Sequence, residues 1–450
     1  MSQAVHEVDS ARSANGGAHV AGGASSADAL VRARDRRRLG SAVERLALRA
    51  MLGVARRISI GELAVSLPDG TRHVFGDPAT GGRGELRVHD MAAITRILRG
   101  GDIAAGEAYM DGLWSSPDLA TLAKVASVNR DALGLTRGWY RIPAKLAKTV
   151  AHRARRNTVG QARKNIEAHY DLGNEFYRLF LDESLTYSSA VFATPAQSLA
   201  DAQRNKYRLM AERAGLSAGQ HVLEIGTGWG GFALYAGGEL DCRVTTVTVS
   251  KAQHELATER VRAAGLEDRV EVLLRDYREI EGQFDAIVSI EMLEAVGAEF
   301  FETYFQVCDR ALKPGGLMSL QTIAFPDLAY LPQARGANWI QTYIFPGGLL
   351  PSLAQIERSL HGTRLLVRRV EDIAPHYVRT LATWRETFLR RLDEVRSMGF
   401  DERFVRMWEY YLSISEASFD TGVCQDLQIV LEKGRGLPAR VASSASFGAN

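Results

Sequence analysis

The stretch His221-Val-Leu-Glu-Ile-Gly-Thr-Gly-Trp-Gly-Gly-Phe232 constrains this chain more than any other segment. A short apolar run, the pattern of a buried strand, ends in a cluster of glycines, which permit a tight turn and let a ligand approach the backbone closely. Strand, glycine turn and helix in that order form the opening unit of a doubly wound α/β sheet. Gly226, Gly228 and Gly231 also satisfy the dinucleotide fingerprint, so the turn alone leaves a nicotinamide cofactor and S-adenosylmethionine both open. Glu224 before the first glycine, with Leu312-Lys-Pro-Gly-Gly316 leading into the apolar run Leu317–Ile323, favours S-adenosylmethionine.

With 450 residues, 46% of them hydrophobic, the chain has material for two or more domains. Its net charge of +2 provides no global field for a polyanion, so electrostatic targeting has to come from local clusters. Cys242, Cys308 and Cys424 are too few and too scattered for a disulfide framework or a zinc site, and no metal is expected. No apolar run reaches the roughly 18 residues of a membrane-spanning helix, which points to a cytoplasmic protein.

Residues 1–28 are rich in Gly, Ala and Ser and read as a disordered arm. An accessory α+β domain is expected over residues 29–136. It opens with a cationic amphipathic helix pattern between Ala29 and Ile58, continues in a hairpin around Pro68-Asp-Gly70, and has helices between His89 and Leu113. Residues 137–164 carry Arg137, Arg141, Lys145, Lys148, Arg153 and further basic residues with no acid among them. The aromatic interleaving of a nucleic-acid surface is missing there, whereas each such cation near an anionic bilayer contributes about 1 kcal/mol. This basic linker therefore suits peripheral attachment to the inner face of the cell membrane. Residues 165–435 alternate strand and helix, with strands expected at Val222–Ile225, Arg243–Val249, Val270–Leu274, Ala286–Ile290 and Leu317–Thr322. Residues 436–450 read as a tail.

Ligands in such a sheet sit at the carboxyl ends of the strands. Where a commoner member would place an acid for the ribose after the second strand, this chain has Thr248, Ser250 and Gln253. After the third strand, Asp276 offers a carboxylate to an adenine amino group and Tyr277 a ring to cover the base. The fourth strand runs into Glu291 and Glu294, either of which could orient a sulfonium or accept a proton near it.

Two further segments, His169-Tyr-Asp-Leu-Gly-Asn-Glu-Phe-Tyr177 running on to Tyr187-Ser-Ser189, and Trp339-Ile-Gln-Thr-Tyr-Ile-Phe345, carry a resemblance to the cyclopropane fatty acid synthase family, including its mycolic-acid and methylene-forming relatives. The resemblance implies a seven-stranded, Rossmann-like S-adenosylmethionine methyltransferase domain. It sets Gly226 and Gly228 against the methionine and ribose, with Tyr187 and Ser188 closing over the methionine end. Thr248 and Gln253 then serve the ribose, and Asp276 and Tyr277 the adenine. It also implies a bicarbonate ion beside the acyl chain. Glu294, Ile323 and Tyr343 fall on three positions of its cradle, whereas Ser189 stands where many members have Cys and Gln321 where many have His. Glu291 adds a carboxylate where many have Gly.

The implied reaction adds a carbon from S-adenosylmethionine to a cis double bond in an unsaturated phospholipid acyl chain, by way of a carbocation that must be shielded from water and then deprotonated. Rings such as Tyr170, Tyr177, Trp339, Tyr343 and Phe345 could stabilise that cation or simply pack. Drawing ten methylenes from lipid into water would cost roughly 8 kcal/mol, so an apolar groove must open at the membrane. The placement of the base decides between closure to a cyclopropane ring, the first expectation, and a mid-chain methylene. Methylation of a soluble small molecule is the further alternative. The sequence leaves a homodimer open.

Overall fold

The computed structural model describes residues 41–134, 172–334 and 338–435. The arm 1–28, the arginines Arg36, Arg37 and Arg38, the basic segment 137–164, Tyr170 and the tail 436–450 lie outside the described residues.

The accessory module opens on the helix Ala42–Ala55, whose first turn is closed by a reciprocal capping box between Ser41 and Glu44. Strands β1 (Gly61–Ser66) and β2 (Arg72–Asp77) form the expected hairpin, and the Thr71 amide donates to Asp69 across the turn at 2.8 Å. Strands β3 (Arg83–Val88) and β4 (Trp114–Ser115) complete a sheet of order β2-β1-β3-β4, in which β3 lies parallel to β1. Between β3 and β4 runs the helix Ala92–Met110, broken at Gly101, whose φ of 63° only glycine adopts without penalty.

The larger module holds β5 (His221–Ile225), β6 (Arg243–Thr248), β7 (Val270–Leu274), β8 (Phe284–Ile290), β9 (Leu312–Ala324), β10 (Leu365–Asp372) and β11 (Gln425–Lys433). Their order is β10-β11-β9-β8-β5-β6-β7. Strands β6 to β9 are parallel to β5, and β11 runs antiparallel to both of its neighbours. The five strands expected from sequence all form. The resemblance implied seven strands, but the positions and antiparallel sense of β10 and β11, which follow glycine turns at Gly362 and Gly422, were not read from the residues. Strand order reverses between β5 and β8, and the crevice above their carboxyl ends is the switch point where such sheets bind ligands.

The two modules share one apolar core. A continuous cluster runs from Val65 and Ile94 in the accessory sheet and helix through Trp339 and Trp408 to Trp384. The long helix Glu402–Asp420 lies against accessory helices, and Tyr109 donates to Glu409 across the junction at 2.7 Å. Gly106 is obligatory at this seam: a Cβ there would come within 2.3 Å of the Trp339 indole nitrogen.

Candidate active site

The glycine turn leaves β5 with Gly226 at φ 101°, Gly228 at 52° and Gly230 at 87°, all in the left-handed region. The amides of Gly226 and Thr227 return to the Val247 carbonyl on β6 at 3.1 Å, which pins the turn across the switch point. Glu224 is buried beside it, accepts from Thr246 Oγ1 at 2.5 Å, and is pushed up to about 8 by burial. Thr248 donates to Gln253 Oε1 at 2.9 Å, so the two ribose-side candidates are held as a pair. Tyr187, Ser188, Gly228, Thr248, Gln253 and Tyr277 line one continuous cavity, with Glu224, Gly226 and Asp276.

Asp276 lines the cavity, and its two carboxylate oxygens accept from Arg278 at 2.8 and 2.7 Å, an ion pair that fixes the carboxylate's orientation and leaves Oδ2 a further acceptor position. Gly226→Ala is expected to weaken S-adenosylmethionine binding about tenfold, since a non-glycine residue in left-handed backbone costs about 1–2 kcal/mol. The added Cβ would also lie 3.1 Å from Met292. Titration calorimetry on the folded variant measures this, and unchanged affinity would remove the turn from the cofactor site.

At the end of β8 lies a buried acidic cluster. Glu291 Oε1 accepts from the Ser189 amide and from Gln321 Nε2, both at 2.8 Å, and Oε2 accepts from the Tyr377 hydroxyl at 2.8 Å. Glu294 Oε1 accepts from Thr322 Oγ1 at 2.9 Å and from the Ile323 amide, while its Oε2 is buried without a partner among the described residues. Burial and, next, the charge of Glu291 push Glu294 up to about 8. Asp426 on β11 is raised well above the usual carboxylate range by burial, and Gln321 Nε2 approaches it at 3.3 Å. Lys206 is fully buried, donates to Ser188 Oγ at 2.6 Å, and is lowered to about 8 by burial.

The structure therefore brings Ser189, Gln321, Glu291, Glu294 and Ile323 together, but not around an open anion site. Ser189 contributes its backbone amide, while its hydroxyl donates to the Ala190 carbonyl at 3.0 Å. Tyr343 does not join them: its hydroxyl donates to Glu107 of the accessory module at 2.8 Å, away from the cavity. Burial, and then that bond, raise Tyr343 to about 12. The donors expected for a bicarbonate ion are occupied, so these residues do not fit a free one.

Lys206, Tyr377 and Asp426 were missed. Lys206 was legible in principle: Ala202, Gln203, Tyr207, Met210 and Ala211 form the buried face of the helix Leu199–Arg213, and a lysine stands in its middle. Asp426, an acid within the run of buried residues of the strand Gln425–Lys433, gave a similar signal. Tyr377 sits in the helix Ala374–Arg390 with no local pattern to mark it.

From the acidic cluster the cavity continues past Trp339, Phe345 and Leu350 and into the accessory module, where Ile58, Leu63, Leu86, Leu98, Leu119 and Leu122 line it. Its volume, 1570 Å³, exceeds the roughly 300–1,000 Å³ typical of a pocket for one small ligand. It has room for a nucleoside-sized cofactor and a long apolar chain together. No described helix is long and apolar enough to cross a membrane.

A seven-stranded sheet with this strand order, a glycine turn at its switch point and neutral ribose-side residues define an S-adenosylmethionine-dependent methyltransferase. Solved structures agree: a cyclopropane synthase from Mycobacterium tuberculosis superposes with TM-score 0.57 at 30% identity, covering 60% of this chain and 98% of its own. A mycolic acid cyclopropane synthase complexed with SAH and CTAB gives 0.57 at 31% identity, covering 60% of this chain and 98% of its own. The family model for mycolic acid cyclopropane synthetase matches residues 157–429, and the chain belongs to that family. A tuberculostearic acid methyltransferase of M. tuberculosis is 42% identical over 79% of this chain and 84% of its own. A cyclopropane-fatty-acyl-phospholipid synthase of Escherichia coli is 36% identical over 80% of this chain and 90% of its own.

Proposed function

We propose that this enzyme transfers a methyl group from S-adenosylmethionine to the cis double bond of an unsaturated phospholipid acyl chain and releases a mid-chain methylene product. The observation that carries the reading is the single cavity that joins the glycine turn, the Glu291–Glu294 pair and the apolar accessory wall. When bound, S-adenosylmethionine supplies an electrophilic methyl carbon. Around it, Tyr187 and Ser188 close the methionine end while Thr248 and Gln253 hold the ribose. Glu294, with a pKa near neutrality, lies beside Glu291 to pass a proton onward. A proton arriving on Glu291 removes the charge that raises Glu294, so Glu294 then releases its own more readily.

A methylene product requires that a hydride move to the neighbouring carbon, leaving the cation on the carbon that bears the new methyl, before that methyl loses its proton. A base fixed on the main chain and held by three hydrogen bonds favours this order, because it cannot follow the methyl toward the ring-closing position. The 42% identity to a protein named as a methyltransferase of tuberculostearic acid supports it. Cyclopropane formation, placed first on sequence, is the second reading, supported by the 36% identity to cyclopropane-fatty-acyl-phospholipid synthase.

Lipid is proposed to reach the cavity at the membrane surface. The helix Ala42–Ala55 exposes Val43 (56%) and Leu46 (69%) while Met51, Val54 and Ala55 on the same helix line the cavity. Purified protein, labelled S-adenosylmethionine and vesicles with a monounsaturated phospholipid give the test. Mass spectrometry is expected to show the gain of one CH2 in a product that ozone cleaves to a ketone. A product that resists ozone would establish the ring, and no gain at all would refute the lipid reading.

A further inference from the structure

Glu291 stands in a conformation that a glutamate adopts only at a cost. Its φ is 48°, one of three positive values among the described non-glycine residues, and left-handed backbone is disfavoured by about 1–2 kcal/mol for such residues. Strain of this kind persists where the surroundings over-determine it, and here they do. The Ser189 amide, Gln321 Nε2 and the Tyr377 hydroxyl all converge on its carboxylate at 2.8 Å. Gln428 donates to Gln321 Oε1 at 2.8 Å, which fixes the amide so that its NH2 group faces Glu291. Burial raises the basicity of Glu291, while Lys206 is the nearby positive charge that favours its anion.

The remaining donors of the expected anion cradle are also engaged: the Ile323 amide on Glu294 and the Tyr343 hydroxyl on Glu107. A free bicarbonate would have to displace these bonds and lie against a buried carboxylate, in a site where like charges repel strongly.

We propose that the Glu291 carboxylate is a built-in proton acceptor standing in the place of a bicarbonate ion, so that this enzyme turns over without dissolved bicarbonate. The proposal rests on the lipid methyl-transfer reading above. The alkene π pair forms the bond to the methyl carbon as the S–CH3 bond breaks and its pair stays on sulfur, and a hydride then shifts to the adjacent cationic carbon. The methyl C–H pair becomes the new π bond, and its proton goes to the Glu291 carboxylate. No other reactant is needed for balance.

Two measurements test it. Turnover of the wild-type enzyme on monounsaturated vesicles is expected to be the same in carbonate-stripped buffer and with added sodium bicarbonate. Glu291→Gly is expected to lose about a hundredfold or more in stripped buffer, the scale of general-base catalysis, and to recover on adding bicarbonate, because the deletion frees the donors and suits the left-handed backbone. Should the glycine variant fail to fold, Glu291→Gln keeps the side-chain volume and is expected to be inactive in both buffers. A wild-type rate that collapses on stripping and returns with bicarbonate would overturn the proposal. So would full activity of Glu291→Gln.

The second measurement needs no lipid turnover. NMR line widths of isotope-labelled bicarbonate, with protein loaded with S-adenosylhomocysteine, are expected to show saturable broadening with Glu291→Gly and none with wild type. Saturable broadening with wild type that is absent from Glu291→Gln would place the ion beside a cradle residue and overturn the proposal. A wild-type protein that makes no lipid product would fail the functional reading while this binding result stood.

Discussion

Glu294→Gln is expected to lose about a hundredfold or more of turnover while gaining stability over wild type as pH rises. Glu294 is half-buried in the cavity wall, with Oε2 enclosed and lacking a partner among the described residues. Burial and the neighbouring Glu291 charge raise it from an ordinary 4.5 to about 8. The sign follows from linkage. An acid whose pKa is raised on folding favours the folded state fully below its unfolded pKa, and that contribution is lost as pH climbs to the folded value. Between about pH 4.5 and 8 the wild type therefore loses stability that glutamine, which never ionises, keeps. Thermal melts across that window should show the Tm difference, variant minus wild type, widening steadily in favour of the variant. A flat difference would mean that Glu294 ionises at its ordinary pH, and full turnover would remove it from the proton path.

Trp339→Ala is expected to be the most damaging single truncation at the seam between the modules. Trp339 is 2% exposed, lies over Gly106 of the accessory helix, and packs against Tyr343 and Tyr410 with ring centroids 5.3 and 4.8 Å away. Emptying a site of that size costs about 3–5 kcal/mol. Because the side chain also walls the cavity, calorimetry should show both a lower Tm and a transition that broadens or splits as the modules uncouple. Trp339→Phe should retain most of the stability, since the indole nitrogen it removes is buried without a partner among the described residues. Equal melts for Ala and wild type would show that the seam contributes little.

The sheet and the cofactor turn were legible in the chain because their signals are local. A run such as Val222–Ile225 followed by glycines, or a Pro-Asp-Gly turn inside alternating residues, states its own geometry. The acidic pair was legible too, since Glu291 and Glu294 follow directly on β8. What they touch was not. Ser189, Gln321 and Tyr377 come from three separate segments, and Asp426 reaches the cluster only through the pairing of β11 with β9. Tyr343 shows the same limit from the other side. A position matched by resemblance fixed the residue, but its hydroxyl answers to Glu107, more than two hundred residues earlier in the chain.

The continuity of the core across the two modules has a consequence for how such a chain can change over time. The solved cyclopropane synthase reported above is matched along 98% of its length by only 60% of this chain, so the catalytic sheet exists elsewhere in a shorter form. Here, Gly106 and Trp339 interlock, and Tyr109 and Glu409 bond across the same junction. Excising the accessory module would strip an apolar flank bare and open one wall of the substrate chamber to water. Inheritance must therefore treat both modules as one piece: a graft or deletion at their border succeeds only if the opposing surface is rewritten with it.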